Sequence, residues 1–152
     1  MRHRLLGEIT TIDDGQKSAS VVYDNRKIDI CLFCDDTSAE DFIAIAVSIV
    51  ERLNELDEFG RKVIVRDLRQ TYNDDWREYD EWMPDRTLKR TSNPELSESE
   101  FASKFQLCSI VLFDEDEIDL DYGKSGLFGG HTVFVRSRSG SNFSGAKAGF
   151  EG

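Results

Sequence analysis

The sequence lacks the features that mark membrane-spanning, secreted and disulfide-rich proteins. Its most apolar stretch, residues 42–50, is far shorter than the roughly 20 residues that cross a bilayer. The basic N-terminus offers only Leu5 and Leu6 as an apolar run, whereas a signal peptide needs roughly 7–15 such residues. The three cysteines are an odd number, which argues against a disulfide framework. We therefore expect a protein of the reducing cytoplasm.

Basic side chains are also scarce. Lys and Arg number 19 against 30 Asp and Glu, so the formal net charge is −11. This charge excludes a general nucleic-acid binder, because phosphates would be repelled. The hydrophobic fraction of 39% and the 10 Phe residues indicate a globular chain. We predict a single domain over residues 1–136, followed by a flexible Gly/Ser-rich tail over residues 137–152.

The first third of the chain is predicted to form strands, at residues 4–12, 19–23 and 27–34. The turn signal at residues 13–15 separates the first two, and Asp24-Asn25 suits a tight hairpin between the next two. The third strand alternates, which indicates a sheet with one covered face. Its covered side would carry Ile28, Ile30, Leu32 and Cys34, and its other side Asp29 and Cys31.

The centre of the chain has helical spacing. Thr37 or Ser38 can cap a first helix, whose apolar residues recur at intervals of three and four as far as Leu56. A second helix is predicted over residues 59–82, because apolar and aromatic residues keep the same spacing until a proline ends it. Residues 84–95 contain both prolines and are predicted to form a loop.

Strands return in the last third. Ser97 and Glu100 form the capping box of a short third helix before them. A central strand is expected at residues 105–113, a strand with a wet, acidic face at residues 118–122, and a final strand at residues 131–136. The order β-β-β-α-α-α-β-β-β predicts an α+β fold, with a mainly antiparallel sheet of about six strands and helices packed on one face.

The cysteines raise the question of a metal site. Cys31 and Cys34 have the C-x-x-C spacing, and Cys108 and His131 could complete a four-ligand zinc site. However, side chains three apart on a strand point to opposite faces, whereas zinc knuckles place such a pair on a tight turn. We favour buried core cysteines over zinc ligands.

Two further motifs fall short of their families' requirements. The acidic run at residues 114–119 has Asp119 where a calcium loop requires glycine. No Gly-Lys-Ser/Thr follows the glycines of residues 126–130, as a phosphate-binding loop would need. We predict no metal and no cofactor.

His131 is a candidate catalytic residue, since only histidine normally titrates near neutral pH. It follows Gly129 and Gly130, where the backbone could approach a ligand closely. Asp119 or Asp121 on the neighbouring strand could act as its partner in general base catalysis. A histidine that merely begins a strand, hydrogen-bonded to a turn, is the simpler interpretation.

Residues 72–83 are the most unusual segment. They hold both tryptophans, five acids and one base, Arg77. Helical spacing would place Tyr72, Trp76, Tyr79 and Met83 on one face that packs on the sheet, with Trp82 off this stripe. Tyr and Trp are also enriched at interface hot spots, and acids around them suit a basic partner. Core packing and a partner surface both remain open.

A resemblance appears at residues 96–135. It is carried by Leu-Ser-Glu-Ser-Glu-Phe from Leu96, Gln-Leu-Cys-Ser-Ile-Val-Leu-Phe-Asp from Gln106, and Leu-Phe-Gly-Gly-His ending at His131. These motifs resemble a family of small, uncharacterised bacterial cytoplasmic domains whose pattern ends in a Leu-Phe-Trp-Gly-His strand. Gly129 stands where that pattern usually has Trp. The resemblance implies an occurrence among bacterial defence and toxin-neutralising neighbours, and it carries over no catalytic residue.

We interpret the chain as a bacterial immunity protein, a binder and not an enzyme, that neutralises a cognate toxin domain as in contact-dependent growth inhibition. A nuclease toxin must be basic to hold phosphates, so an acidic protein could occupy its cleft. The alternatives are a small enzyme or ligand-binding domain centred on His131 and the Gly126–Gly130 turn, or a structural module. The predicted partner surface is Asp74, Asp75, Trp76, Glu78, Tyr79, Asp80, Glu81 and Trp82, with Asp114, Asp116, Asp119 and Asp121 second.

Overall fold

The computed structural model describes residues 2–12, 15–33 and 37–152. Cys34 therefore lies outside the described residues, as do the first two residues of the turn predicted at residues 13–15. The helices are α1 (Ala39–Glu51), α2 (Leu53–Thr71) and α3 (Glu98–Ala102). The strands are β1 (Arg2–His3), β2 (Gly7–Glu8), β3 (Thr10–Thr11), β4 (Lys17–Tyr23), β5 (Arg26–Leu32), β6 (Glu78–Trp82), β7 (Leu88–Ser92), β8 (Ser109–Leu112), β9 (Ile118–Lys124), β10 (Thr132–Ser137) and β11 (Lys147–Glu151).

A seven-stranded sheet organises the described part of the chain, in the order β11-β10-β9-β8-β5-β4-β3. Its strands are antiparallel except for β5 and β8, which run parallel. Parallel neighbours need a long crossover, and here it contains all three helices. The pairs β1–β2 and β6–β7 form separate two-stranded ribbons. The prediction of an α+β fold with a mainly antiparallel sheet is confirmed.

Three predictions from local sequence patterns are confirmed: the alternation in β5, the N-cap of α1 and the capping box of α3. In β5, Ile28, Ile30 and Leu32 are buried and Asp29 is exposed, as the alternation predicts. The side chain of Ser38 caps α1 by accepting a hydrogen bond from the backbone N–H of Asp41 at 3.1 Å. The capping box that begins α3 at Ser97 is also present. These signals depend on neighbours in sequence, which is why the sequence alone shows them.

The predicted second helix over residues 59–82 is wrong in its second half. α2 begins at Leu53 and ends at Thr71, and a π-helical turn, Tyr72–Trp76, follows it. The chain then forms β6, which pairs with β7 inside the region predicted as a loop. Arg90 of β7 lies opposite Asp80 and contacts the carboxylate of Glu78 at 2.9 Å. These partners are ten or more residues apart, so helical spacing within the segment could not reveal them.

The region predicted as a flexible tail has a place in the sheet. Residues 147–151 form β11, which pairs with β10 along its whole length. Phe143 and Ala146 are buried, and the side chain of Asp67 in α2 accepts a hydrogen bond from the N–H of Ala148 at 2.9 Å. The buried side chains of Phe143 and Ala146, together with the pairing of β11 with β10, hold this Gly/Ser-rich segment against the rest of the protein.

The wet, acidic face predicted for residues 118–122 also needs correction. Asp119 is buried, and the guanidinium of Arg136 donates two hydrogen bonds to its carboxylate, both at 2.8 Å. The same guanidinium lies over the rings of Phe113 and Phe134, at 5.6 and 4.6 Å from their centroids. The side chain of Arg136, from the neighbouring strand β10, therefore covers this face of β9. The carboxylate of Asp119 forms an internal ion pair with it and does not face solvent.

One buried carboxylate ties α2 to the sheet. The Asp57 side chain accepts hydrogen bonds from the hydroxyls of Tyr23 at 2.9 Å and Tyr122 at 3.0 Å, and pairs with Arg61. Burial, followed by the contact with Asp57, raises the pKa of Tyr23 to about 12. One turn along the helix, a Cβ on Gly60 would overlap the Tyr122 hydroxyl. Glycine at this position lets the helix approach closely enough for the hydrogen bond to form.

Replacing Gly60 by Ala should therefore destabilise the protein by about 1–3 kcal/mol, the usual cost of overpacking. In an unconstrained helix the same change stabilises by up to about 1 kcal/mol, so the sign is decisive. Urea unfolding measures it, with Lys62→Ala on the exposed side of α2 as the control. An unchanged or raised midpoint for Gly60→Ala would show that the close approach does not exist.

Asp67 should make stability depend on pH. The hydrogen bond from Arg66, with help from the Ala148 N–H, holds the pKa of its carboxyl below the ordinary 3.8. A lowered folded-state pKa contributes stability above the unfolded value, and this contribution is lost as pH falls through the folded value. Asp67→Asn should destabilise at pH 7, and its difference from the parent should vanish in acid unfolding series. Asp116→Asn, on an exposed turn, is the control; a pH-independent difference for Asp67→Asn contradicts the assignment.

Candidate functional site

Trp76 is fixed at the end of the π-helical turn by a group of aromatic rings. Its ring centroid lies 5.6 Å from that of Phe128, 5.3 Å from Phe150 and 5.8 Å from His131, all in edge-on geometry. Phe128 and Phe150 stack on each other at 4.5 Å. Edge-on aromatic contacts are favourable beyond simple area burial. The half-buried indole is therefore held in one orientation by the loop before β10 and by β11.

A cleft of about 620 Å³ opens beside this ring, and we call it the Trp76 cleft. It lies between the end of the π-helical turn, the base of the β6–β7 ribbon and the glycine turn that precedes β10. Its volume falls in the range of ordinary ligand pockets. The lining residues are Asp75, Trp76, Glu78, Tyr79, Asn93, Gly126, Leu127 and Gly129.

The glycine turn contributes one wall of the cleft, formed by Gly126, Leu127 and Gly129. Gly126, Gly129 and Gly130 all have positive φ, at +83°, +59° and +88°. A Cβ on Gly129 would lie 3.2 Å from the Cζ3 atom of Trp76, whereas a Cβ on Gly130 would meet nothing within 4 Å. The backbone of Gly129 therefore packs directly against the indole.

The β6–β7 ribbon carries exposed apolar side chains. Trp82 is 70% exposed and lies opposite Leu88, which is 55% exposed, at the end of the ribbon next to its turn. Tyr79 is 44% exposed at the other end, beside the cleft. The turn itself is closed by Asp85, whose carboxylate accepts a hydrogen bond from the Thr87 N–H at 3.0 Å. An apolar pair thus stands on a ribbon that is separate from the main sheet.

The charges around the ribbon are unevenly compensated. The guanidinium of Arg90 contacts the carboxylates of Glu78 and Asp80 at 2.9 and 3.6 Å. Asp74 accepts a hydrogen bond from the Gln70 side-chain amide at 2.8 Å. Asp75 is exposed and has no hydrogen-bond or ion-pair partner among the described residues. Asp75 therefore carries an exposed negative charge beside the cleft, unpaired within the described part of the chain.

The structure places the first predicted group on one continuous segment and separates the second. Because side chains alternate along β6, Tyr79 and Glu81 lie on the opposite face of the ribbon from Trp82. The members in residues 74–82 lie along the π-helical turn and β6, and all but Trp76 are exposed. Asp114 and Asp116 are exposed in the turn before β9, at the opposite end of that strand from the glycine turn. Asp119 is buried on Arg136, and half-buried Asp121 accepts hydrogen bonds from Ser109 and from a backbone N–H. The second group therefore does not form one acidic surface.

His131 does not have the carboxylate partner that general base catalysis would need. Asp119 lies across from Arg136, and Asp121 is engaged by Ser109. The Nδ1 atom of His131 is buried and has no hydrogen-bond partner among the described residues. Its ring contacts Trp76 and Phe150 instead. The pairing predicted with Asp119 or Asp121 is therefore wrong, because Arg136 competes for the first carboxylate.

The cysteine prediction is partly corrected. Cys31 is half-buried, Cys108 is exposed, and Cys34 lies outside the described residues. Burial raises the pKa of the Cys31 and Cys108 thiols. The described residues contain no group of three or more His, Cys, Asp and Glu side chains placed to hold a metal ion. Cys108 was expected inside the central strand predicted at residues 105–113. It is exposed and precedes β8, which begins at Ser109.

Comparison with known proteins identifies the family. A family model described as an uncharacterised protein conserved in bacteria (DUF2262) matches residues 5–147. The chain belongs to this family. The family match includes the Trp76 cleft, the β6–β7 ribbon and most of the sheet. The search of curated proteins and that of solved structures returned no match. In the part of the chain that is described, no helix combines the length and apolar character needed to cross a membrane.

Sequence reasoning missed several residues of the site. Leu88 and Asn93 fall in the segment predicted as a loop, and Leu127 was passed over between the glycines. Leu88 gives little local signal, because the four residues that follow it in β7 are polar and its partner Trp82 lies across the turn. Asn93 gives no such signal, because it reaches the cleft only once the ribbon has formed.

The contact between Gly129 and Trp76 can be tested with a matched pair of variants in a Trp82→Phe background, where Trp76 is the remaining indole. Gly129→Ala should shift the fluorescence emission of Trp76, because the new methyl group displaces the ring. Gly130→Ala carries a similar backbone strain but no contact with the ring, so it should leave the emission unchanged. Equal spectra for the two variants would contradict the packing.

Proposed function

We propose that the protein is a bacterial immunity protein, which binds a cognate toxin domain in the cytoplasm and blocks it. The observation that carries this proposal is the exposed Trp82–Leu88 pair on a ribbon outside the main sheet. Exposed apolar side chains that cluster on a projecting element favour an interaction surface over a structural role. A tryptophan that acts as an interface hot spot costs about 2 kcal/mol or more of binding free energy when it is truncated to alanine.

Charge supports a basic partner. The chain carries a net charge of −11, and Asp75 lacks a compensating group among the described residues. A nuclease toxin has to be basic around its cleft in order to hold phosphates. Electrostatic attraction would then steer the two proteins together and raise their association rate, an effect that weakens as salt shortens the Debye length to about 8 Å.

The ribbon also explains how binding could be strong without relying on charge alone. Arg90 already neutralises part of the acidic ribbon by its contacts with Glu78 and Asp80. Exposed ion pairs of this kind contribute little to stability, and charges at the rim of an interface mainly change the association rate. The apolar pair would therefore supply most of the binding free energy, while the free carboxylates set the association rate and exclude acidic competitors.

A second candidate, a small ligand-binding domain at the glycine turn, is favoured by the Trp76 cleft itself. The cleft adjoins Gly126 and Gly129, as that alternative expects. Trp76 stands in contact with His131, and the imidazole is not among the cleft's lining residues. His131→Ala should therefore weaken ligand binding in the cleft, because it removes one of the rings that orient Trp76, and should leave partner binding through the ribbon nearly intact.

The decisive experiment co-expresses the chain with the C-terminal domain of a large secreted protein encoded directly upstream of its gene, as the proposal requires. The parent chain should restore growth and co-purify with that domain. Trp82→Ala and Leu88→Ala should each raise the Kd at least tenfold, about 1.4 kcal/mol. Val22→Ala is the control, because Val22 is 80% exposed but lies on β4, away from the ribbon.

The association rate should also fall as salt rises from low to physiological concentration, and Asp75→Asn should reduce that dependence. Failure to restore growth or to form a complex would overturn the proposal. An effect of Val22→Ala equal to those of the ribbon variants would place the interface elsewhere.

A further inference from the structure

The Trp76 cleft combines aromatic and acidic walls. Trp76 and Tyr79 contribute rings, and Asp75 and Glu78 contribute carboxylates. Its eight lining residues include two acids and no base. A cavity of this composition favours a cation that also presents an apolar or planar surface, because the rings attract cations to their faces.

Two arginines that flank the cleft residues in sequence, Arg77 and Arg90, are engaged by other partners. The guanidinium of Arg77 donates to the backbone oxygen of Asn93 at 2.9 Å and lies 3.7 Å from the carboxylate of Glu95. Arg90 is committed to the ribbon, through Glu78 and Asp80. Neither arginine is among the residues that line the cleft. The negative charge of Asp75 is therefore left for a group from outside the described chain.

The ring that forms the main wall is already in place. Trp76 is held by its edge-on contacts with Phe128, Phe150 and His131, and by the backbone of Gly129. A ligand that packs on a ring of fixed orientation loses less freedom on binding than one that must first order a mobile side chain. The pocket is therefore preorganised on its apolar side.

The choice among cations follows from their shapes. A guanidinium is planar and weakly hydrated, so it can stack on an aromatic ring while its edge donates paired hydrogen bonds to a carboxylate. An ammonium group is compact and strongly hydrated, and it cannot do both as well. Arg90 of the ribbon is an example of the carboxylate contacts, since its guanidinium lies 2.9 Å from Glu78 and 3.6 Å from Asp80.

We infer that the Trp76 cleft binds the guanidinium group of an arginine side chain, with Trp76 and Tyr79 as the stacking walls and Asp75 as the principal anion. Glu78, shared with Arg90, adds a second carboxylate. In the proposed function, on which this inference rests for its biological setting, the arginine belongs to the basic toxin domain. Trp82 and Leu88 would then supply apolar contact around an arginine anchor.

The test uses the isolated chain with Trp82→Phe, so that fluorescence reports on Trp76. N-acetyl-arginine-methylamide is titrated at constant ionic strength, beside the matching lysine compound and the citrulline compound, which has the shape of arginine without the charge. The arginine compound should give a saturable change in the emission of Trp76. The lysine compound should bind at least threefold more weakly, and the citrulline compound at least tenfold more weakly.

Variants locate the site. Asp75→Asn should weaken binding of the arginine compound at least fivefold, and Glu78→Gln less, because Glu78 is shared. Asp116→Asn is the matched control, since it removes the same charge at the far end of β9. Equal binding of the arginine and citrulline compounds, equal binding of the arginine and lysine compounds, or equal effects of Asp75→Asn and Asp116→Asn would each overturn the inference.

This experiment fails separately from the co-expression experiment. No partner protein is present, so an unresponsive Trp76 removes the guanidinium site and leaves the inhibition of a toxin to be judged by growth. Conversely, a toxin that is not neutralised removes the proposed function, while saturable binding of the arginine compound would still assign the cleft its ligand chemistry.

Discussion

The buried Asp57 carboxylate determines how α2 sits on the sheet. It accepts hydrogen bonds from tyrosines of β4 and β9, and Gly60 leaves the space that the second of these needs. A buried charge without partners would cost several kcal/mol, so these bonds strongly disfavour any other rotation of the helix. That rotation directs Tyr72 into the core and brings Trp76 out beside the glycine turn. The position of the cleft is thus set by a contact inside the core, about five helical turns before Trp76.

The candidate site has two parts, the Trp76 cleft with its fixed indole and the β6–β7 ribbon outside the main sheet. The indole of Trp76 packs against Phe128, which is part of the core, and against Phe150, which packs on the core. The ribbon stands apart from the main sheet and offers Trp82 and Leu88 to solvent. A fixed pocket can select one side chain by its chemistry, while a ribbon with few core contacts can adjust to the surface around it.

Sequence reasoning succeeded where the signals are local. The alternation in β5, the Ser38 cap and the Ser97 capping box depend on residues within a few positions of each other, and all are present. The ribbon was missed because Arg90 and Leu88 stabilise it from across the turn. Trp76 and the Gly126–Gly130 turn were each singled out, but as rival sites. Only the sheet order and the π-helical turn show that they share one cleft.

The single parallel contact in the sheet has a consequence for how the chain folds. β5 ends at Leu32 and its neighbour β8 begins at Ser109, so this pairing joins segments more than seventy residues apart. Contacts of high sequence separation slow folding, since the loop between them must be closed first. During synthesis the N-terminal hairpin emerges with one side of its sheet unsatisfied. Exposed Lys27 and Asp29 along β5 would then help to keep nascent chains from pairing with one another.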